Sequence, residues 1–141
     1  MSSRCLFFEE YTDSDYDTAK LNHVTVRCQE IEARIALIVD SDSFLSKKNE
    51  YIKNGVVDII TLCISIAQVM KCTVIVTLDD KAVMVTLSFA SVFMMELAET
   101  RQFSLVCEKA SGITIIPAAE DYDRAMIIFQ FDISEHVEND G

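Results

Sequence analysis

The sequence predicts an α+β fold, a two-layer α/β sandwich in which a mainly antiparallel sheet of hairpins is covered on one face by helices at about 50–70 and 91–110. Three observations carry this prediction. Polar residues at helical spacing mark a long, mostly apolar helix. Two tracts of strict alternation flank an acidic turn directly after it. The spacing then turns helical again before a last pair of strand-like tracts.

Over 50–70, Asn54, Asp58, Thr61, Ser65 and Gln68 step by four, three, four and three, so they fall in one narrow stripe of a helix. The rest of the circumference, including Val57, Ile60, Ile64 and Ile66, is apolar. Such a helix is buried against a sheet or another subunit. Val74, Val76 and Leu78 then alternate with their neighbours, and Val83, Val85, Leu87 and Phe89 continue the pattern after Asp79-Asp80-Lys81. This is a β-hairpin with one face on the core. Its other face, Thr73, Ile75, Thr77, Met84, Thr86 and Ser88, is a mixed set suited to partial cover.

From Ser91 the apolar residues Phe93, Met94, Leu97 and Ala98, then Phe103, Val106, Cys107 and Ala110, recur at helical spacing. A second helix is expected over 91–110, bent near Thr100 to Gln102, with Gly112 as its C-cap. Ile113 to Ile116 reads as a strand that Pro117 ends or places at an edge. Glu120 to Asp123 makes a turn, and Ala125, Ile127, Phe129, Phe131 and Ile133 belong to a final strand.

Two templates fit the first forty residues. Leu21, Val24, Cys28, Ile31, Ile35 and Ile38 keep a three-four spacing that suits a helix capped by Asp17 or Thr18. Ile31, Ala33, Ile35, Leu37 and Val39 also alternate, and Val24-Thr25-Val26 favours strand. The reading assigns strand to about 32–39 and leaves 18–31 open between the two. Asp40 to Asn49 is expected to be a polar loop. The chain is expected to be a single domain, 1–141, with an acidic, partly flexible segment at 1–17 and a flexible acidic tail at 134–141.

Half of the 141 residues are hydrophobic, mean hydropathy is +0.24, and Pro and Gly number only one and three, which argues against disorder. So much apolar surface in so short a chain predicts a homodimer. The net charge of −11 speaks against nucleic acid or an anionic membrane surface as partner, because both are bound chiefly through Lys and Arg. The longest apolar stretch, Val56 to Met70, is interrupted by polar residues and falls short of a membrane span. The five cysteines, Cys5, Cys28, Cys63, Cys72 and Cys107, form no C-x-x-C pair and lie mostly in apolar runs, the pattern of reduced, buried thiols in a cytoplasmic protein.

Catalytic chemistry finds little support. His23 and His136 lack a second ligand at helical spacing, so no metal is expected. Asp13, Asp15 and Asp17 resemble the opening of a calcium loop, but the glycine at the sixth position is missing and Val24 stands where a bidentate Glu is needed. Asp40 with Asp42, and Asp79 with Asp80, sit where turns favour acids for backbone hydrogen bonding alone. Gly55, Gly112 and Gly141 are too far apart for a phosphate loop. No catalytic residue, cofactor or nucleotide motif is assigned. His23 is retained as an alternative phosphoacceptor.

The order helix, hairpin, helix, hairpin over 44–133 resembles the ATP-binding domain of histidine kinases and anti-sigma kinases, the GHKL fold. The resemblance rests on Tyr51 to Met70 running into Thr73-Val-Ile-Val-Thr-Leu and Val83-Met-Val-Thr-Leu, then on Ser111-Gly112-Ile-Thr-Ile-Ile and Ala125-Met-Ile-Ile-Phe-Gln-Phe. The family's magnesium-binding Asn has no counterpart in Cys63-Ile-Ser-Ile-Ala-Gln68, and its Asp-x-Gly box is replaced by Ser88-Phe-Ala-Ser91. The resemblance therefore implies a degenerate ATPase-like domain, a noncatalytic regulatory or scaffold module of bacterial signalling that acts by binding protein. The alternatives are a histidine phosphotransfer protein using His23 and a small acidic chaperone-like dimer.

Overall fold

The structure, a computed structural model, describes residues 4–11, 24–118 and 123–133. The elements run β1 (Arg4–Glu10), α1 (Val24–Ser41), a 3-10 turn at Leu45–Lys47, α2 (Glu50–Met70), β2 (Thr73–Leu78), β3 (Ala82–Ala90), a 3-10 turn at Ser91–Phe93, α3 (Met94–Ala98), α4 (Arg101–Lys109), β4 (Gly112–Ile116) and β5 (Arg124–Asp132). One five-stranded sheet in the order β1-β2-β3-β5-β4 is antiparallel at every pairing. The α+β sandwich expected from the pattern of periods is the architecture found.

All the described helices share one side of the sheet. Val74, Val76, Leu78, Val85, Leu87, Phe89, Ile127 and Phe129 are fully buried there, in one cluster with Ile35 and Val39 of α1, Ile59, Cys63 and Ile64 of α2, Leu97 of α3 and Val106 of α4. At about 25 cal/mol per Å² of apolar area, such a core is the main source of stability. α2 starts at Asn49, whose side-chain oxygen accepts from the Ile52 N–H at 3.0 Å. It stops at Lys71, which takes a left-handed φ of 57° while the Cys72 N–H closes onto the Ala67 carbonyl at 2.9 Å. The polar stripe of α2 is not a solvated face along its whole length, for Thr61 and Ser65 in its middle are buried.

The strand expected over 32–39 is overturned, because those residues belong to α1. Ile31, Ile35 and Val39 recur every fourth residue and are buried, whereas the alternating partners Ala33 and Leu37 are exposed, Leu37 at 68%. One buried side at a spacing of four is what a helix offers and a strand does not. The expected loop at 40–49 is shorter, since α1 runs to Ser41 and Leu45 inserts fully into the core.

The single helix expected over 91–110 is two short helices after a 3-10 turn. The break falls at Thr100, whose hydroxyl donates to the Leu97 carbonyl at 2.9 Å and accepts the Phe103 N–H at 3.2 Å. Gly112 is not the C-cap. Ala110 ends α4 in an extended conformation, and Gly112 opens β4. The N-terminal segment contributes an unanticipated strand: Arg4–Glu10 forms the sheet edge beside β2, with a register shift between Cys5 and Phe7. Asp17, Thr18, the 120–122 part of the turn and the 134–141 tail lie outside the described residues.

Candidate interaction surface

Between α2 and the sheet, Ile59, Cys63, Ile64, Val76, Val85 and Leu87 are buried in one cluster. Ser65 is buried and its hydroxyl donates to the Thr61 carbonyl at 2.9 Å. Ser88 lies on the far side of the sheet, where its hydroxyl accepts from Arg124 Nε at 3.2 Å and its carbonyl from the Arg124 terminal nitrogen at 2.7 Å. Ser65 and Ser88 thus lie on opposite sides of the sheet.

The described residues line recesses at the surface. One, of about 390 Å³, lies where α2 meets α4 and β5 and is lined by Tyr51, Asn54, Asp58, Lys109 and Phe131. Lys109 spans it to Asp58 at 3.6 Å, an exposed pair of small energetic weight. Another, about 370 Å³, lies between β1 and α1 beside Leu6, Leu37 and Asp42. Asp42 there accepts two Arg4 nitrogens, at 2.6 and 3.1 Å, and the N–H groups of Phe44 and Leu45, each at 2.9 Å. Burial works to raise this carboxyl, but the hydrogen bonds from Arg4, Leu45 and Phe44 outweigh it and hold the pKa below its usual range.

Asp79 and two buried thiols also sit in environments that shift their titration. Asp79 turns the β2–β3 hairpin by accepting from the Lys81 and Ala82 N–H groups, both at 2.8 Å, and these lower its pKa. Burial pushes the Cys72 thiol up to about 12, against a lesser opposing pull from Arg124, and raises Cys63 further. Thiols so deeply buried stay protonated at neutral pH and do not supply the thiolate a nucleophile needs. Among the described residues no group of three or more His, Cys, Asp or Glu gathers as a metal site. None of the described helices is long and apolar enough to cross a membrane. His23 and His136 lie outside the described residues.

What the fold does bring together, among the described residues, is an unguarded sheet edge. β1 at one end of the sheet carries Arg4, Glu9, Glu10 and a register shift, devices that discourage strand addition. β4 at the other end reads Gly-Ile-Thr-Ile-Ile, pairs regularly with β5 from Gly112 to Ile116, and bears no charge. Ile113, Ile115 and Ile116 are 41%, 51% and 43% exposed. No family model matches the chain, and neither a curated protein nor a solved structure does. One side of β4 pairs with β5, and among the described residues its other edge offers backbone donors and acceptors flanked by isoleucine side chains. Reading the sequence for periodicity missed this feature. An apolar strand without a single charge, ended by Pro117, was the available signal.

Proposed function

We infer that the chain is a noncatalytic regulatory or scaffold module that works by binding protein, with a degenerate kinase-ATPase-like domain as its framework and bacterial signalling as its setting. The setting follows from the GHKL resemblance; the mode of action is supported by the contrast between the two sheet edges. A strand added to β4 would gain main-chain hydrogen bonds and cover Ile113 and Ile115 on one face and Ile116 on the other, the β-augmentation mode of peptide recognition. The fitting partner is a protein of net positive charge that lends an extended, uncharged segment, because a chain of charge −11 attracts such a partner while charges opposite β4 would be desolvated without a counterpart.

The test uses a synthetic peptide of alternating Val and Thr flanked by lysines. Titrated into the protein, it is expected to slow amide hydrogen exchange at 112–116, and Ile115→Lys is expected to abolish that protection. Protection that spreads evenly over the surface, or survives Ile115→Lys, sinks the reading. An ATP analogue is expected to leave the melting temperature unchanged, since only a ligand of the native state raises it. A rise of several degrees would restore a nucleotide pocket.

A further inference from the structure

The face of the sheet turned away from the helices is the second large surface of the molecule. Pairing register places Phe8, Ile75, Thr86, Ile128 and Thr114 in one row across all five strands of that face. The next row toward one end is Glu10, Thr73, Ser88, Met126 and Ile116. The neighbouring row toward the other end runs from Cys5 through Thr77, Met84 and Gln130 to Gly112. Glu10 is the one charged residue in these three rows, although a quarter of the whole chain is charged. Phe8 is 54% exposed on this face. Among the described residues no helix lies over it. An antiparallel sheet that gives one face to water normally carries polar, largely charged residues there, and a contiguous apolar area of this kind marks an interaction site.

We propose that this face binds a second copy of the chain, sheet against sheet, about a two-fold axis that runs across the strands along the row of Thr86. Charge selects both the occupant and the axis. A protein of charge −11 self-associates only through a surface nearly free of acids, and this face is such a surface. The charges on and beside it are Glu10, on edge strand β1, and Arg124 and Asp132 at opposite ends of β5, one row beyond Ser88 and one row beyond Met84. A two-fold across the strands keeps each strand in place and exchanges its ends, so Arg124 of each copy comes over Asp132 of the other. A two-fold along the strands would instead set β1 against β4, with Glu10 over Ile116 and no such pairing. Such a self-complementary patch closes a dimer and stops there.

Size agrees with this. Strands of seven, six, nine, nine and five residues, at about 3.3 Å per residue and about 4.8 Å between strands, make a face of about 570 Å² per copy, or about 1,100 Å² in all. That flat area understates a corrugated surface and already clears the ~1,000 Å² expected of a specific interface. The dimer face shares Ile116 with the β4 strand but leaves that strand's outer backbone edge and Ile115 uncovered, so Ile115→Lys separates it from the strand-binding reading.

The test is sedimentation of the full chain at 1–100 μM, set against a monomer mass of 15.9 kDa. A dimer is expected, with Thr86→Lys and Phe8→Lys each raising its dissociation constant at least 100-fold while Ile115→Lys leaves it unchanged. Phe8 lies on an edge strand, so its variant keeps the test open even where Thr86→Lys disturbs folding. Asp132→Arg is expected to weaken the dimer about tenfold, and adding Arg124→Asp to restore it. A monomer throughout overturns the proposal, as does a dimer dissolved by Ile115→Lys but not by Phe8→Lys. Failure of the charge swap to restore association would overturn the axis.

Discussion

The ring of Phe131 on β5 lies directly under Gly55 of α2, so closely that a Cβ at Gly55 would stand 2.8 Å from Phe131 Cζ. The glycine in the second turn of α2 is there for this approach. Its missing side chain lets α2 settle onto the end of β5 and sets the depth of the neighbouring cleft.

Gly55→Ala sets two effects against each other. Alanine favours the helix by about 1 kcal/mol over glycine, while the Phe131 ring must swing off its rotamer at a cost of about 1 kcal/mol. The single variant is expected to be close to neutral. In a Phe131→Leu background the clash is gone, and Gly55→Ala is expected to stabilise by about 1 kcal/mol. Urea unfolding of the four proteins in the cycle measures this coupling, and a cycle that closes to zero removes the contact.

Asp42 ties β1 to the connection between α1 and α2. Asp42→Ala deprives two backbone N–H groups and Arg4 of their acceptor and is expected to destabilise by about 1–2 kcal/mol. Asp42→Asn keeps one acceptor oxygen and is expected to lose about half as much. Because the folded pKa lies below the ordinary value of 3.8, the carboxylate contributes stability above that pH, and the contribution is lost as pH falls through the folded value. The difference between wild type and Asp42→Asn is therefore expected to shrink below about pH 4, read by denaturant titration at pH 3 and pH 7.

The long α2 and the hairpin β2–β3 were legible because each has one buried side and a period that only one kind of backbone can satisfy. Two other segments were not. In β1 the register shift between Cys5 and Phe7 interrupts the alternation, so Leu6-Phe7-Phe8 shows no period of two. In α1 a helical and an extended template share Ile31 and Ile35, and the choice turned on Leu37, which only the structure shows at the surface. The candidate surfaces were harder still. That the outer face of the hairpin was mixed could be seen in Thr73, Ile75 and Met84, but its continuation through Phe8, Ile128 and Ile116 exists only once β1 and β4 take their places at the two edges.

The buried thiols make stability fall in alkali. Cys72 ionises near its ordinary 9.0 in the unfolded chain and only at about 12 in the folded one, and Cys63 is raised by burial as well. Each group stays protonated in the native state while the unfolded state releases its proton. Stability is thus retained below pH 9 and lost as pH rises toward the folded value, by about 1 kcal/mol per thiol at pH 10. Urea midpoints at pH 8 and pH 10 are expected to show this drop, and Cys63→Ala with Cys72→Ala to flatten it. At pH 8 Ellman's reagent is expected to react with exposed Cys5 and to spare Cys63 and Cys72 until the protein unfolds.

Thr61 lies in the middle of the α2 stripe at 6% exposure, and its hydroxyl has no hydrogen-bond partner. Its neighbour one turn on, Ser65, satisfies its own hydroxyl through the Thr61 carbonyl, so the backbone of Thr61 is used while its side chain is not. An orphaned buried hydroxyl costs about 1–3 kcal/mol. Valine has nearly the same shape and removes that cost, so Thr61→Val is expected to stabilise the fold by about 1 kcal/mol. The denaturation midpoint should rise with no change in the slope of the transition. Loss of stability in Thr61→Val would mean that the hydroxyl contributes to folding, and the stripe would then have to be regarded as a polar seam holding the helices together.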